Sequence, residues 1–173
     1  MQTLPETPEP LFLSVNVSDR QLGDSRFPLA LARTLNAADF PAERLHLEIN
    51  RSILDRKGAA IRLVTQLRAL GVIAAIDEFI GASDAEMVVP DGVDLIKLDK
   101  RLVHGVHGER GRARAELVIS GILDRQLDAC AVGVETDDDL TIVSELGCRF
   151  AQGYLFSPPI DAAQLRALIA NEG

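Results

Sequence analysis

The sequence predicts an α/β fold built on a parallel sheet, and three observations carry that expectation. Short apolar runs alternate with stretches of helical periodicity along the chain. The runs are apolar throughout rather than at every second position, as in strands covered on both faces. Capping residues and glycines stand at the joins, where helices begin and end. Two architectures fit: a doubly wound open sheet and a barrel. No GxGxxG supports a dinucleotide-binding form of the first. A complete (β/α)8 TIM-type barrel has eight strands and typically about 250 residues. Here there are six apolar runs in 173 residues, so a barrel would be incomplete, with about six βα units.

Taken in order, LFLSVNV (Leu11–Val17) reads as the first strand, followed by Ser18 and Gln21 at capping-box spacing. A helix over Phe27–Ala38 carries Leu31 and Leu35 on one face, and LHLEI (Leu45–Ile49) is the second strand. Ala60, Leu63, Val64, Leu67 and Leu70 draw a stripe down the next helix, which Gly71 ends. VIAAI (Val72–Ile76) and DLIKL (Asp94–Leu98) are strands three and four. A long helix near Arg112–Leu127 buries Ala115, Val118, Ile119 and Ile122. ACAVGV (Ala129–Val134) is strand five. Thr136 caps the next helix, with Asp137, Asp138 and Asp139 in its first turn, where the macrodipole favours negative charge. Gly147 ends that helix, CRFAQG (Cys148–Gly153) is a short sixth strand, and Asp161 with Gln164 opens a last helix.

Composition narrows the function. A net charge of −8 argues against binding a nucleic-acid polymer, which needs Lys and Arg to neutralise phosphates. Hydrophobic residues make up 47% of the chain, enough to bury a core. The apolar runs are far short of the ~20 residues that cross a bilayer, and the N-terminus is not a signal peptide. Two cysteines, Cys130 and Cys148, sit inside apolar runs as small hydrophobes, with no CxxC or Cys/His pairing for zinc. Their scarcity fits a reducing compartment, and the expected location is the cytoplasm. VHGVHGERGRAR, with His104 and His107, reads as a solvated loop.

Ligands of parallel sheets gather at the carboxyl ends of the strands. Those positions here carry Asn16, Glu48, Asp77 with Glu78, Lys97 with Asp99, Glu135 and Gln152. Each alone is an ordinary loop cap or solvated charge. Together, carboxylates and an amide are hard oxygen donors suited to Mg²⁺ or Mn²⁺, and a lysine can neutralise a phosphate or position a water. The pattern suggests a metal-assisted phosphodiester site, or the remains of one.

The series LSVNVS, LHLEI, AAIDEF, DLIKLDK, VGVET and LGCRFAQGYLFSPPI resembles the EAL domain of bacterial cyclic di-GMP phosphodiesterases, from about Leu11 to the end. That resemblance implies a modified (β/α)8 barrel that hydrolyses cyclic di-GMP with Mg²⁺ or Mn²⁺. It implies that Asn16, Glu48 and Asp77 descend from metal ligands, with Glu78 in place of a second metal-binding aspartate. Lys97 matches the lysine that assists the catalytic water, Glu135 the glutamate of a GVE segment and Gln152 the glutamine of an AQGY segment.

Four departures shape the expected function. The Glu-Ala-Leu segment that names the family is absent, and only ten residues precede Leu11. The family's AEGVE becomes AVGVE, so Val132 stands where a catalytic glutamate belongs. Ile80 replaces a glycine in the metal-side loop, and Arg51 replaces a glutamate that anchors it. The expected organisation is a short Pro-rich arm over residues 1–10 and a partial EAL-like domain over 11–173. The expected function is a catalytically inactive regulatory module, a protein partner or second copy covering the exposed barrel edge. The alternative is a receptor that binds cyclic di-GMP through Asn16, Arg51, Lys97 and Gln152 without hydrolysing it; residual phosphodiesterase activity ranks third. No cofactor is expected, and Mg or Mn only if a metal site survives.

Overall fold

The structure, a computed structural model, describes residues 11–51, 57–81 and 89–172. The expected N-terminal arm lies outside the described residues. Six strands form one sheet in chain order: β1 (Leu13–Val17), β2 (Leu45–Asn50), β3 (Ile73–Phe79), β4 (Leu95–Leu98), β5 (Asp128–Val132) and β6 (Phe150–Gln152). Every neighbouring pair is parallel. A doubly wound sheet reverses its strand order at a switch point. Here the order never reverses, so the sheet curls into half of a barrel with the connecting helices between its strands. β1 and β6 are its edges.

The helices are α1 (Asp19–Leu22), α2 (Phe27–Ala38), α3 (Lys57–Ala69), α4 (Lys100–Val103), α5 (Glu109–Leu123), α6 (Asp137–Glu145) and α7 (Ala162–Glu172). Their ends follow the sequence signals. Ser18 and Gln21 exchange hydrogen bonds. Thr136 and Asp139 form a capping box, and Gln164 bonds back to Asp161. Gly71 and Gly147 sit at positive φ, where helix C-termini favour glycine. α5 buries Ala115, Val118, Ile119 and Ile122, the four residues its periodicity marks. The predicted helix Arg112–Leu127 is displaced by about a turn, because Gly108 supplies the extended N-cap and the chain turns after Leu123. No helix among the described residues is long and apolar enough to cross a membrane.

The two faces of the sheet differ. Leu47, Ile49, Ala74, Ile76, Ile96, Leu98 and Ala129 pack outward against Leu63, Val64 and Leu67 of α3 and Val118, Ile119 and Ile122 of α5. Fully burying one such side chain contributes roughly 1.5–3 kcal/mol, so this convex layer is the main core. The concave face holds a smaller cluster of Ala75, Leu95 and Cys130, with Ile73, Val132 and Phe150 packed on it. Both thiols are free. Burial pushes Cys130 up to about 11 and Cys148 to about 12, as inert small hydrophobes require.

β3 runs past the predicted Ile76 to Phe79 and takes both acids into the sheet. Ile76 pairs with Ile96 and Phe79 with Leu98, so two residues, Asp77 and Glu78, lie opposite the single residue Lys97. Glu78 adopts φ 60°, the left-handed region. This is a β-bulge: the extra residue returns Phe79 to the outward, core-facing side with Ile76, which strict alternation would not.

Candidate functional site

Alternation along the parallel strands decides which polar side chains share the concave face. Ser14 and Asn16 of β1, His46 and Glu48 of β2, Asp77 of β3, Lys97 of β4, Val132 of β5 and Gln152 of β6 lie on it, by register and alternation. At its N-terminal end the rings of Phe12, His46 and Phe150 close on each other, with centroids 5.0 Å, 6.1 Å and 6.4 Å apart. Burial lowers the His46 imidazole below its ordinary value. This aromatic layer lies below the polar residues, with Phe12 itself 50% exposed.

Glu48 is the centre of that polar layer. It is 6% exposed and Lys97 is 4% exposed. Lys97 Nζ and Ser14 Oγ both donate to Glu48 Oε1. A carboxylate can be this deep because a cation and a hydroxyl satisfy it. Asp77 lies one register step further toward the mouth. Burial raises its carboxyl above the usual range, against the opposing pull of the Glu78 amide and the Lys97 charge. Glu78, at the bulge, accepts from Asn50 Nδ2 at 2.7 Å. The two adjacent acids therefore divide: Asp77 faces the interior and Glu78 is held at the rim.

The mouth is set by two connections. After β3, Arg114 of α5 donates to the carbonyls of Ile80 at 2.9 Å and Gly81 at 3.2 Å. Gly81 has φ 61°, and a Cβ there would lie 2.1 Å from Val118, so only glycine fits. Ile80, which the resemblance places in a metal-side loop, is described, but residues 82–88 of that connection lie outside the described residues. Arg51 is half-buried at the end of β2.

After β5, Glu135 is exposed with its Oε1 3.6 Å from His104 Nε2, and the same nitrogen donates to the Gly133 carbonyl at 3.1 Å. His107 Nε2 lies 2.6 Å from Asp139 Oδ1. The expected loop around His104 and His107 is a turn with both rings about half exposed, and each ring also meets a partner on the β5–α6 connection. The short helix α4, with Asp99 as N-cap, folds the histidines back onto the β5–α6 connection. The HxxH spacing was the available signal, and its partners lie about thirty residues away.

Gln152 of β6 is exposed at the far side of the mouth, and its carbonyl accepts from Gly133 N at 2.7 Å and Val134 N at 3.1 Å. Val132 is half-buried against the Ala75, Leu95 and Cys130 cluster.

The sequence of this half-barrel matches one family model, the EAL domain, over residues 1–159. The chain belongs to the EAL domain family. It is 30% identical to the cyclic di-GMP phosphodiesterase PA2567 of Pseudomonas aeruginosa over 90% of its own length and 27% of that protein. It superposes on the EAL enzyme Bd1971, in a form with cAMP and cyclic di-GMP bound, with a TM-score of 0.84 and 28% identity, over 91% of this chain and 43% of that one. It also superposes on BlrP1 of Klebsiella pneumoniae in a manganese and cyclic di-GMP complex, with a TM-score of 0.75 and 26% identity, over 86% of this chain and 39% of that one. The chain thus spans about a quarter of the curated relative it matches and under half of these structures.

A divalent ion on the concave face of this EAL domain would meet three oxygen-bearing side chains. Asn16, Glu48 and Asp77 offer oxygen donors from three adjacent strands. Among the described residues, however, no three His, Cys, Asp or Glu side chains gather into a group that could hold an ion. β5 contributes only the hydrocarbon of Val132 to this face. Divalent Mg²⁺ or Mn²⁺ draws its affinity from anionic oxygens, and this donor set fits such an ion poorly.

Proposed function

We propose that this EAL domain serves cyclic di-GMP signalling without hydrolysing the dinucleotide, and that its output is contact with a protein partner or a second copy. The observation that carries the reading is Val132. A branched hydrocarbon, with no lone pair for a metal or a proton, lies on the concave face between Lys97 and Gln152. Losing one important catalytic group costs about 10²–10⁴-fold, and groups that act as a unit fail together. The contact is supported by the outer face of β1, where Leu13 and Val15 are 50% and 41% exposed. β1 has no charge or proline to guard it, the usual protections of a strand edge.

The test is incubation with cyclic di-GMP and Mg²⁺ or Mn²⁺, followed by chromatography for the linear dinucleotide. No product above the protein-free control is expected. Product that disappears in Asp77→Asn defeats the reading. Size-exclusion chromatography with light scattering examines the contact, a lone monomer with no dye-detectable apolar surface counting against it.

A second reading, a non-hydrolysing cyclic di-GMP receptor, is favoured by Asn16, Lys97 and Gln152 lining the same concave face. Relatives bearing the dinucleotide share the fold. Calorimetric titration with cyclic di-GMP, with and without Mg²⁺, decides it; no heat at high micromolar ligand ends it.

A further inference from the structure

Asp139 does two things at once. It is the N3 residue of α6 and only 4% exposed. Its Oδ2 accepts from the amides of Glu135 at 3.1 Å and Thr136 at 2.9 Å. Its Oδ1 faces His107 Nε2, on a different element, at 2.6 Å. A helix N-cap needs only the Thr136 bond; it does not need a second amide outside the helix or an imidazole from another turn. Burial by itself would raise this carboxyl, but the bonds from His107, Glu135 and Thr136 outweigh it and hold the group down to about 2.

We propose that His107 and Asp139 are positioning residues for Glu135. The carboxylate, held from the α4–α5 turn, fixes the backbone at the carboxyl end of β5 and so the direction in which Glu135 meets the pocket mouth. His104 completes the hold by reaching the Gly133 carbonyl and the Glu135 side chain. The seat for this turn is tight: Gly133 has φ 84°, and a Cβ there would lie 2.6 Å from Lys100 Cβ. Removing His107 leaves Asp139 charged and buried with one oxygen unanswered. The cheapest relief is for the carboxylate to rotate toward water and release the two amides. Glu135 then loses its fixed backbone while β5 stays intact.

The inference rests on the second reading, in which the concave face takes cyclic di-GMP, and extends it to Glu135 at the rim, but its test does not need the ligand. Hydrogen exchange of the Glu135 and Thr136 amides is followed in wild type, His107→Ala and His107→Gln, with the buried β5 residue Ala131 as internal reference. Exchange at both amides should rise about tenfold in His107→Ala, the scale of one lost bond to a charged group. It should return to near the wild-type rate in His107→Gln, which keeps an N–H at comparable reach. Ala131 should not change.

Unchanged exchange at Glu135 in His107→Ala overturns the proposal. So does a rise shared equally by Ala131, which marks general loosening. If His107→Ala does not fold, Asp139→Asn takes its place, and there too exchange must rise at Glu135 and Thr136 but not at Ala131. Cyclic di-GMP titration of the same proteins separates the two readings. Silence in wild type with the exchange pattern intact removes the receptor while the positioning role stands.

Discussion

Lys97 Nζ donates to Glu48 Oε1 across the concave face, and the two side chains are 5% and 8% exposed. Such a pair is costly to break from one side only, because the remaining charge stays buried. Lys97→Met should lower stability by about 3–5 kcal/mol in urea denaturation. Combining it with Glu48→Gln should recover most of that loss. Equal stability of the single and double variants would show that the pair is not coupled.

Asp77→Asn should stabilise the domain at neutral pH. Burial raises the Asp77 carboxyl in the folded state, so stability falls as pH rises through its folded value. The amide has no charge to desolvate. The advantage of the variant should shrink as pH drops below the ordinary carboxyl value, where wild-type Asp77 is protonated in both states. Thermal melts from pH 3 to pH 7 measure it, in buffers of roughly that span.

Asp139→Asn should act in the opposite sense. The Asp139 carboxyl is lowered from 3.8 to about 2. Its contribution is present above the unfolded value and is lost as pH falls through the folded one. The variant should be about 2 kcal/mol less stable at neutral pH, and the gap should close between about pH 4 and pH 2. A gap independent of pH would assign the loss to packing instead.

Phe12→Ala should remove one ring of the aromatic layer and expose His46 to water. Its ring is 5.0 Å from His46 and 6.4 Å from Phe150. The stability cost should be modest, roughly 1 kcal/mol, because Phe12 is itself 50% exposed. The sharper readout is His46. Burial lowers its imidazole, so admitting water should move its titration up toward the ordinary value, seen by NMR.

Val132→Glu should place a carboxylate on the concave face beside the Cys130 cluster. Without metal it should destabilise the domain by about 1–3 kcal/mol, the cost of a buried polar group left unanswered. Millimolar Mn²⁺ should raise the melting temperature of the variant and leave wild type unmoved. An equal rise in wild type would show that Glu48 and Asp77 hold the ion without help from β5.

Much of this was legible in the sequence by itself. The strands, their parallel sense and the helix caps follow from local chemistry: unbroken apolar runs, box spacings and glycines at positive φ. The motif order points to the family, and strand-end logic marks Asn16, Glu48, Asp77, Lys97 and Gln152, which share one face of the curled sheet, along with Glu78 at the rim, Asp99 as a helix cap and Glu135 on the β5–α6 connection, which do not. What tertiary structure decided lies between elements distant in the chain. Whether the sheet winds doubly or curls depends on strand order, which no local pattern encodes; here order follows the chain. Whether Phe79 faces the core with Ile76 depends on a bulge that only the pairing with β4 reveals. And two histidines that read as solvated loop became the hold on Glu135, because their partners are 29 and 32 residues away and meet them only once β4 and β5 pair.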